Sequence, residues 1–427
     1  MIPYSRQIIN KTDIKSVIKV LKSNFLTQGS VIKKFENAIS KKFKSKYVVS
    51  MNSATSALHV ACLALDIKEK DIVWTCTNSF VASSNCALYC GAKVDLIDID
   101  PKNYNLNIEE LKLKLLKAKK INKLPKLIIP VHFAGLPCDM KKIYELSKKY
   151  GFKILEDASH AIGSEYYGKK IGNCKYSDIT VFSFHPVKII TSLEGGMAMT
   201  NSVELARSMR LARSHGVTSQ KELMDREADG AWYYQQLSLG FNYRMNDVEA
   251  AIGLSQLGKL PRFIRERNTV ACLYDAHFKG VCSVKPLVVA EGCDSSYHLY
   301  VVRITGLTLA LKSKLVEEMR AQGVYVHVHY IPIHTQPYYR RLGFSHGDFP
   351  NAECYYHHAL TLPIFPSMTN YEVEHVVVHE LEVRLERQKE SINQGKGKHT
   401  YIGIGMRLHS TSKIRISDYS KKLLVIL

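Results

Sequence analysis

The chain lacks any apolar run of membrane-spanning length, any CxxC pair and any apolar leader, and each absence removes a class of protein. Without about twenty consecutive apolar residues a helix cannot bury its backbone in lipid, so no membrane partner is expected. The ten cysteines stand mostly inside apolar runs such as HVACLAL and CALYC. That placement points to reduced core thiols rather than a disulfide frame or a zinc site, and no metal is expected. The opening segment MIPYSRQIINKTDIK is polar, which gives the expectation of a soluble, cytoplasmic protein. Acid is in deficit: 59 Lys and Arg stand against 39 Asp and Glu, a formal net charge of +20. This favours anionic partners without identifying one. The basic residues are spread along amphipathic helices such as TDIKSVIKVLKSNF instead of gathering with aromatics, and no nucleic-acid motif occurs, so no nucleic-acid partner is expected.

What is present is enough for one large core and a smaller second one, at 427 residues and 46% hydrophobic content. Helical periodicity predicts helices at 12–23, 31–43, 54–65, 106–118 and 139–150. Between them lie short apolar runs at 48–50, 71–76, 92–99, 127–133, 152–157, 178–184 and 196–200, which fit buried strands covered by helices on both faces. The expected product is a mostly parallel α/β sheet, followed by a helical and loop region over 203–280. From 281 the pattern restarts with YHLYVVRI (297–304), a helix near 309–322 and VYVHVHY (324–330). The expected division is therefore a large domain at 1–280, with its first thirty residues contributing substrate contacts, and a small α/β domain at 281–382. Residues 383–427 carry ten Lys or Arg against three acids with little helical periodicity, and read as a basic, poorly ordered tail.

In a parallel sheet, ligands collect beyond the carboxyl ends of the strands. There MNSATSALHV places Ser53, Ala54 and Thr55 on a strand-to-helix turn, where hydroxyls and free N–H groups can hold a phosphate, or where Ser53 simply caps the helix. Phe80 follows the second strand as either a ring platform or core. FKILEDASHAIG puts Asp157 directly after its strand, able to pair with a protonated ring nitrogen or to cap a helix. His160 is expected in the first helical turn beyond it. SDITVFSFHPVKIITSLEGG adds Ser183, and Lys188 on a turn beyond Pro186, either a reactive amine or a solvated loop lysine. Each is weak alone. Together they supply a phosphate clamp, an aromatic face, an acid for a ring nitrogen and a primary amine, which is the set pyridoxal phosphate needs.

Over residues 3 to 380 the chain resembles the DegT/DnrJ/EryC1/StrS sugar aminotransferases. The motifs that carry this are NFLTQG, NSATSALH, EDASHAIGSEYYGKKIG, VFSFHPVKIITSLEGG, LGFNYRMNDVEAAIGLSQL and VHVHYIPIHTQPYY. The resemblance implies the aspartate-aminotransferase type of fold and a pyridoxal-phosphate-dependent transferase. It implies Lys188 as the Schiff-base lysine, Asp157 at the pyridine nitrogen, His160 near the cofactor hydroxyl, Phe80 against the ring, and Ser183, Ser53, Ala54 and Thr55 around the phosphate. Asn242 resembles the asparagine that reaches the neighbour's cofactor phosphate, which implies a homodimer with shared sites. Tyr4, Asn24, Phe25, Leu26, Thr27, His329 and Tyr330 match substrate contacts. Within the family the motifs are most similar to members that aminate C4 of UDP-2-acetamido-2,6-dideoxy-β-L-arabino-hex-4-ulose with L-glutamate in pseudaminic acid synthesis. Another UDP- or dTDP-linked 4-keto or 3-keto sugar is the alternative substrate. SLEGG departs from the more common TAEGG or TGEGG, and the chain after about residue 380 departs from the usual terminal helix. Two other classes stay open: sugar dehydratases of the same fold, which carry histidine where Lys188 stands, and a non-catalytic protein that kept the fold.

Overall fold

The computed structural model describes residues 1–377, so the expectation for 383–427 lies outside the described residues. Seven strands form the main sheet: β1 (Tyr47–Met51), β2 (Ile72–Cys76), β3 (Lys93–Ile97), β4 (Leu127–Ile129), β5 (Lys153–Asp157), β6 (Ile179–Ser183) and β7 (Gly196–Thr200). Their order is β1–β7–β6–β5–β4–β2–β3. Only β7 runs against its neighbours; β2, β3, β4, β5 and β6 pair in parallel. The carboxyl ends of the six co-directional strands therefore share one edge.

The strands are buried on both faces, and consecutive residues feed different cores. Val48, Ile128, Ile154 and Phe182 enter one apolar cluster; Val49, Ile129, Leu155 and Val181 enter the other. This period-two division is why the strand sequences read as nearly continuous apolar runs. The helix α1 (Lys11–Leu21) opens with a capping box in which Asn10 accepts from the Asp13 N–H and Asp13 reaches back to the Asn10 N–H. On the first face lies α2 (Ser30–Phe43), which buries Phe35, Ile39 and Phe43. On the other lies α3 (Ala54–Ala64), whose residues Ser56 to Cys62 are all buried. That explains its weak amphipathicity: α3 is covered on nearly every side.

Beyond α4 (Ala82–Leu88), α5 (Ile108–Lys120) and α6 (Met140–Tyr150), the helices α7 (Val203–Arg213), α8 (Asp247–Leu257) and α9 (Leu260–Phe278) lie in the region expected to be helix and loop. A separate antiparallel sheet of β8 (Val284–Pro286), β9 (Tyr300–Ile304) and β10 (Ala359–Leu362) packs with α10 (Leu309–Ala321) and α9 around its own apolar cluster.

Three local expectations change. The run at 127–133 is a strand only to Ile129, because Pro130 has no N–H for the ladder and Ala134 takes φ +58° in a tight turn. His160 is not in a helical turn: the Ala161 N–H donates to Ala158 O and the Ser164 N–H to Ala161 O, so the chain makes successive turns after β5. The run VYVHVHY alternates as a strand should, burying Val324 and Val326 and exposing Tyr325 and His327. It forms single bridges to Ile2 and Thr361 instead of a ladder, since each neighbour meets it at one point.

Candidate active site

Lys188 sits in the loop between β6 and β7, where its N–H donates to His185 O across the turn made by Pro186. Its Nζ lies 3.4 Å from His298 Nε2. Burial pushes the ammonium down to about 8, with the Asp157 carboxylate opposing the shift. A lysine at that value is partly a free amine at neutral pH, unlike the solvated loop lysine that composition alone would suggest.

Asp157 ends β5 and is 4% exposed. Its Oδ2 accepts from Ser83 Oγ at 2.6 Å and its Oδ1 from the Ser159 N–H at 3.1 Å. His160, equally buried, accepts at Nδ1 from the Ala134 N–H at 3.3 Å, so the neutral ring carries its proton on Nε2, 3.0 Å from Tyr330 Oη. Burial holds this imidazole well below its usual value, and Lys188 and His329 add to the effect. Tyr330 is anchored through its N–H to Asn78 Oδ1 at 3.0 Å. Its ring lies 6.2 Å from that of Phe80, which is 59% exposed and so is not core.

The start of α3 resolves the two readings of the SAT turn. Ser53 Oγ is spent on the Ser56 N–H, a conventional N-cap, whereas the Ala54 and Thr55 N–H groups open the first turn with no carbonyl four residues back to receive them. Gly196 follows from the same geometry. A β-carbon there would stand 2.5 Å from Ser53 O and Ala54 N, so only glycine lets β7 begin against this turn. Since the obstructing atoms are backbone, G196A is expected to cost about 1–3 kcal/mol of stability in denaturant titrations. A cost indistinguishable from zero would contradict the close approach.

The remaining expected residues are more dispersed. Ser183 is buried at the end of β6. The Tyr4 ring lies 5.3 Å from that of His329, whose Nδ1 is 3.0 Å from Thr361 Oγ1. Asn24, Phe25, Leu26 and Thr27 are exposed and tied by backbone to the start of α8, where the Asp247 N–H donates to Leu26 O. Asn242 is exposed and pairs by backbone with Ser214, while the adjacent Tyr243 O accepts the Asn52 N–H beside the SAT turn. Sequence reasoning missed Ser83, Asn78 and His298. Ser83 is 74 residues from Asp157, and no spacing links them; the histidine in YHLYVVRI was visible only as a residue preceding an apolar strand.

Among the described residues no cluster of His, Cys, Asp and Glu could hold a metal, all ten cysteines are free, and no helix is long and apolar enough to cross a membrane. Two observations fit pyridoxal phosphate: an exposed ring at Phe80, and first-turn N–H groups of Ala54 and Thr55 that have no helical carbonyl four residues back. Lys188 adds a half-buried amine that desolvation depresses, and Asp157 a buried carboxylate.

The mixed, mostly parallel sheet with this site at its carboxyl edge is the fold-type-I architecture of pyridoxal-phosphate-dependent aminotransferases, and the protein is an enzyme of that class. The sequence pattern of the DegT/DnrJ/EryC1/StrS aminotransferase family matches residues 7–381, and the chain belongs to that family. It is 38% identical over 368 residues to the UDP-4-amino-4,6-dideoxy-N-acetyl-β-L-altrosamine transaminase of Campylobacter jejuni serotype O:23/36, covering 86% of this chain and 93% of that one. Helicobacter pylori PseC, an aminotransferase of pseudaminic acid biosynthesis, superposes with a TM-score of 0.82 at 32% identity, covering 90% and 99% of the two chains. The PLP form of Spr1654 from Streptococcus pneumoniae superposes with a TM-score of 0.81 at 27% identity, covering 90% and 99%.

Proposed function

We propose that the protein transfers the amino group of L-glutamate to C4 of UDP-2-acetamido-2,6-dideoxy-β-L-arabino-hex-4-ulose, releasing 2-oxoglutarate. The observation that carries the aminotransferase reading is the half-buried Lys188 amine, depressed by desolvation, 3.4 Å from His298 and within the field of the Asp157 carboxylate at the sheet's carboxyl edge. The choice of sugar is supported by the similarity to the altrosamine transaminases of Campylobacter jejuni and Helicobacter pylori.

Bound pyridoxal phosphate supplies an aldehyde that condenses with amines and a protonated ring that draws electrons from the attached carbon. The chain's own groups do the rest. Lys188 would hold the cofactor through its amine, and that amine, when free, would serve as the base that takes up and returns the proton of the substrate carbon bearing nitrogen. Asp157 keeps a negative charge against the ring nitrogen, its carboxylate oriented by Ser83 and the Ser159 N–H. Phe80 covers one ring face. The Ala54 and Thr55 N–H groups at the α3 start, with Ser183, receive the phosphate. His160 and Tyr330 form one hydrogen-bonded unit on the hydroxyl side. Tyr4, His329 and the segment Asn24 to Thr27 serve the nucleotide sugar, with a large unit at 1–280 holding the cofactor and a small unit at 281–382 closing the substrate side.

The deciding experiment incubates purified protein with pyridoxal phosphate, glutamate and a panel of UDP- and dTDP-linked keto sugars, and follows 2-oxoglutarate release. Turnover should be highest with the L-arabino 4-ulose. A preference of about tenfold or more for its D-xylo epimer or for a dTDP-linked 4-keto sugar would overturn the sugar assignment and leave the transferase.

Asn242 is assigned to the phosphate of a neighbouring protomer, which makes the working unit a homodimer with shared sites. Mixing inactive K188A and N242A subunits should then regenerate sites in which both native residues meet. If mixed dimers form and activity stays at the parental level, the shared site is wrong.

A further inference from the structure

We infer that His298 is the positioning partner of Lys188, and that its tautomer follows the state of the lysine: Nε2 accepts a hydrogen bond from the charged amine and donates one to the neutral amine. The inference rests on the proposed role of Lys188. The His298 ring is 2% exposed, its Nε2 is 3.4 Å from Lys188 Nζ, and its Nδ1 is buried with no hydrogen-bond partner among the described residues. The separation is long for a hydrogen bond, as is common in active sites before their ligands bind.

His160, whose ring centroid is 4.3 Å away, shows the contrast. There the Ala134 N–H occupies Nδ1 and fixes the proton on Nε2. No such group fixes His298. A neutral imidazole carries one proton on either nitrogen, and with Nδ1 unpaired in both forms the lysine alone decides which form is better satisfied. An ammonium needs an acceptor and a free amine can take a donor; a side chain locked as one or the other would oppose half of the lysine's cycle. The exchange adds a proton at one ring nitrogen and releases one from the other, so the ring stays neutral and no co-reactant is consumed.

The surroundings keep the ring neutral. Burial first, then Lys188, His160, Arg267 and His329, all disfavour the imidazolium, while the Asp157 charge favours the ammonium form of the lysine. Arg267 on α9 also fixes the backbone here, donating from Nη1 to the carbonyls of His298, Tyr297 and Ile364 at 3.2, 3.1 and 3.0 Å.

The test uses the full chain, free of cofactor, with ¹⁵N-labelled histidine. Below the Lys188 midpoint near 8, His298 should be the Nδ1–H tautomer; above it, the Nε2–H form should grow, and in K188M this pH dependence should vanish. In parallel, the pH dependence of pyridoxal phosphate trapping on Lys188 by borohydride gives the lysine midpoint. H298F should lower it by about one unit, because the hydrogen bond lost from the charged amine is stronger than the one lost to the neutral amine, and H298Q should restore part of the shift. An unchanged midpoint in folded H298F, or one tautomer throughout in the wild type, would overturn the inference. Should wild-type Lys188 fail to trap the cofactor at all, the functional reading falls, while the tautomer comparison with K188M still decides the part played by His298.

Discussion

K188A is expected to lose the visible absorbance of lysine-bound pyridoxal phosphate and the lysine-linked adduct after borohydride reduction, with amination slowed by roughly 10⁴-fold. The size follows from two roles falling on one side chain. A primary amine is the only side-chain group that both condenses reversibly with an aldehyde and carries a proton between carbons, and alanine does neither. Lys188 also lies where its amine is chemically available, because burial lowers it to about 8 while most of the other lysines are solvated. The fold should tolerate the change, since removing a buried amine also removes its desolvation cost. An undiminished adduct on another lysine, found by mapping the reduced protein, would end the assignment.

D157N is the second large effect. The substitution keeps the size of the side chain, and an amide oxygen can still accept from the Ser159 N–H while the Ser83 hydroxyl turns to receive the new N–H. What it removes is a negative charge in a site 4% exposed to solvent, where water cannot replace it. Proton transfer with glutamate, followed in a single half-reaction by stopped-flow absorbance, should therefore slow by roughly 10²–10³-fold. Cofactor affinity should fall much less, because the α3 start proposed to receive the phosphate is untouched. Equal half-reaction rates for D157N and the wild type would refute the role of the charge.

How legible each residue was depends on how locally its position is set. Lys188, Asp157 and Ser183 follow or end apolar strands, and an apolar run bounded by turn residues announces itself in sequence because burial on both faces demands it. The same holds for the SAT turn at α3, although only the structure distributes its labour: the Ser53 oxygen caps the helix at Ser56, and Ala54 and Thr55 supply the first-turn N–H groups. The helical turn expected at His160 is not formed, because Asp-Ala-Ser-His reads equally as an N-terminus or as successive turns, and hydrogen bonds to Ala158 and Ala161 chose the turns. VYVHVHY was misjudged for a related reason, since alternation reports burial on one side and says nothing about whether a neighbouring strand exists to pair with.

By itself, then, the sequence determined the alternation of helices and buried strands and the residue types gathered at the strand ends. The tertiary structure alone decided the partnerships that cross the chain. Ser83 meets Asp157, Tyr330 meets His160, and His298 meets Lys188, across separations of 74, 170 and 110 residues. Such pairs carry no periodic signal, because they are created by strand order and by the packing of the C-terminal segments over the sheet's carboxyl edge. Burial then gives them their chemistry: it holds Lys188 near 8 and His160 and His298 neutral, and that follows from removing water, which local sequence does not specify.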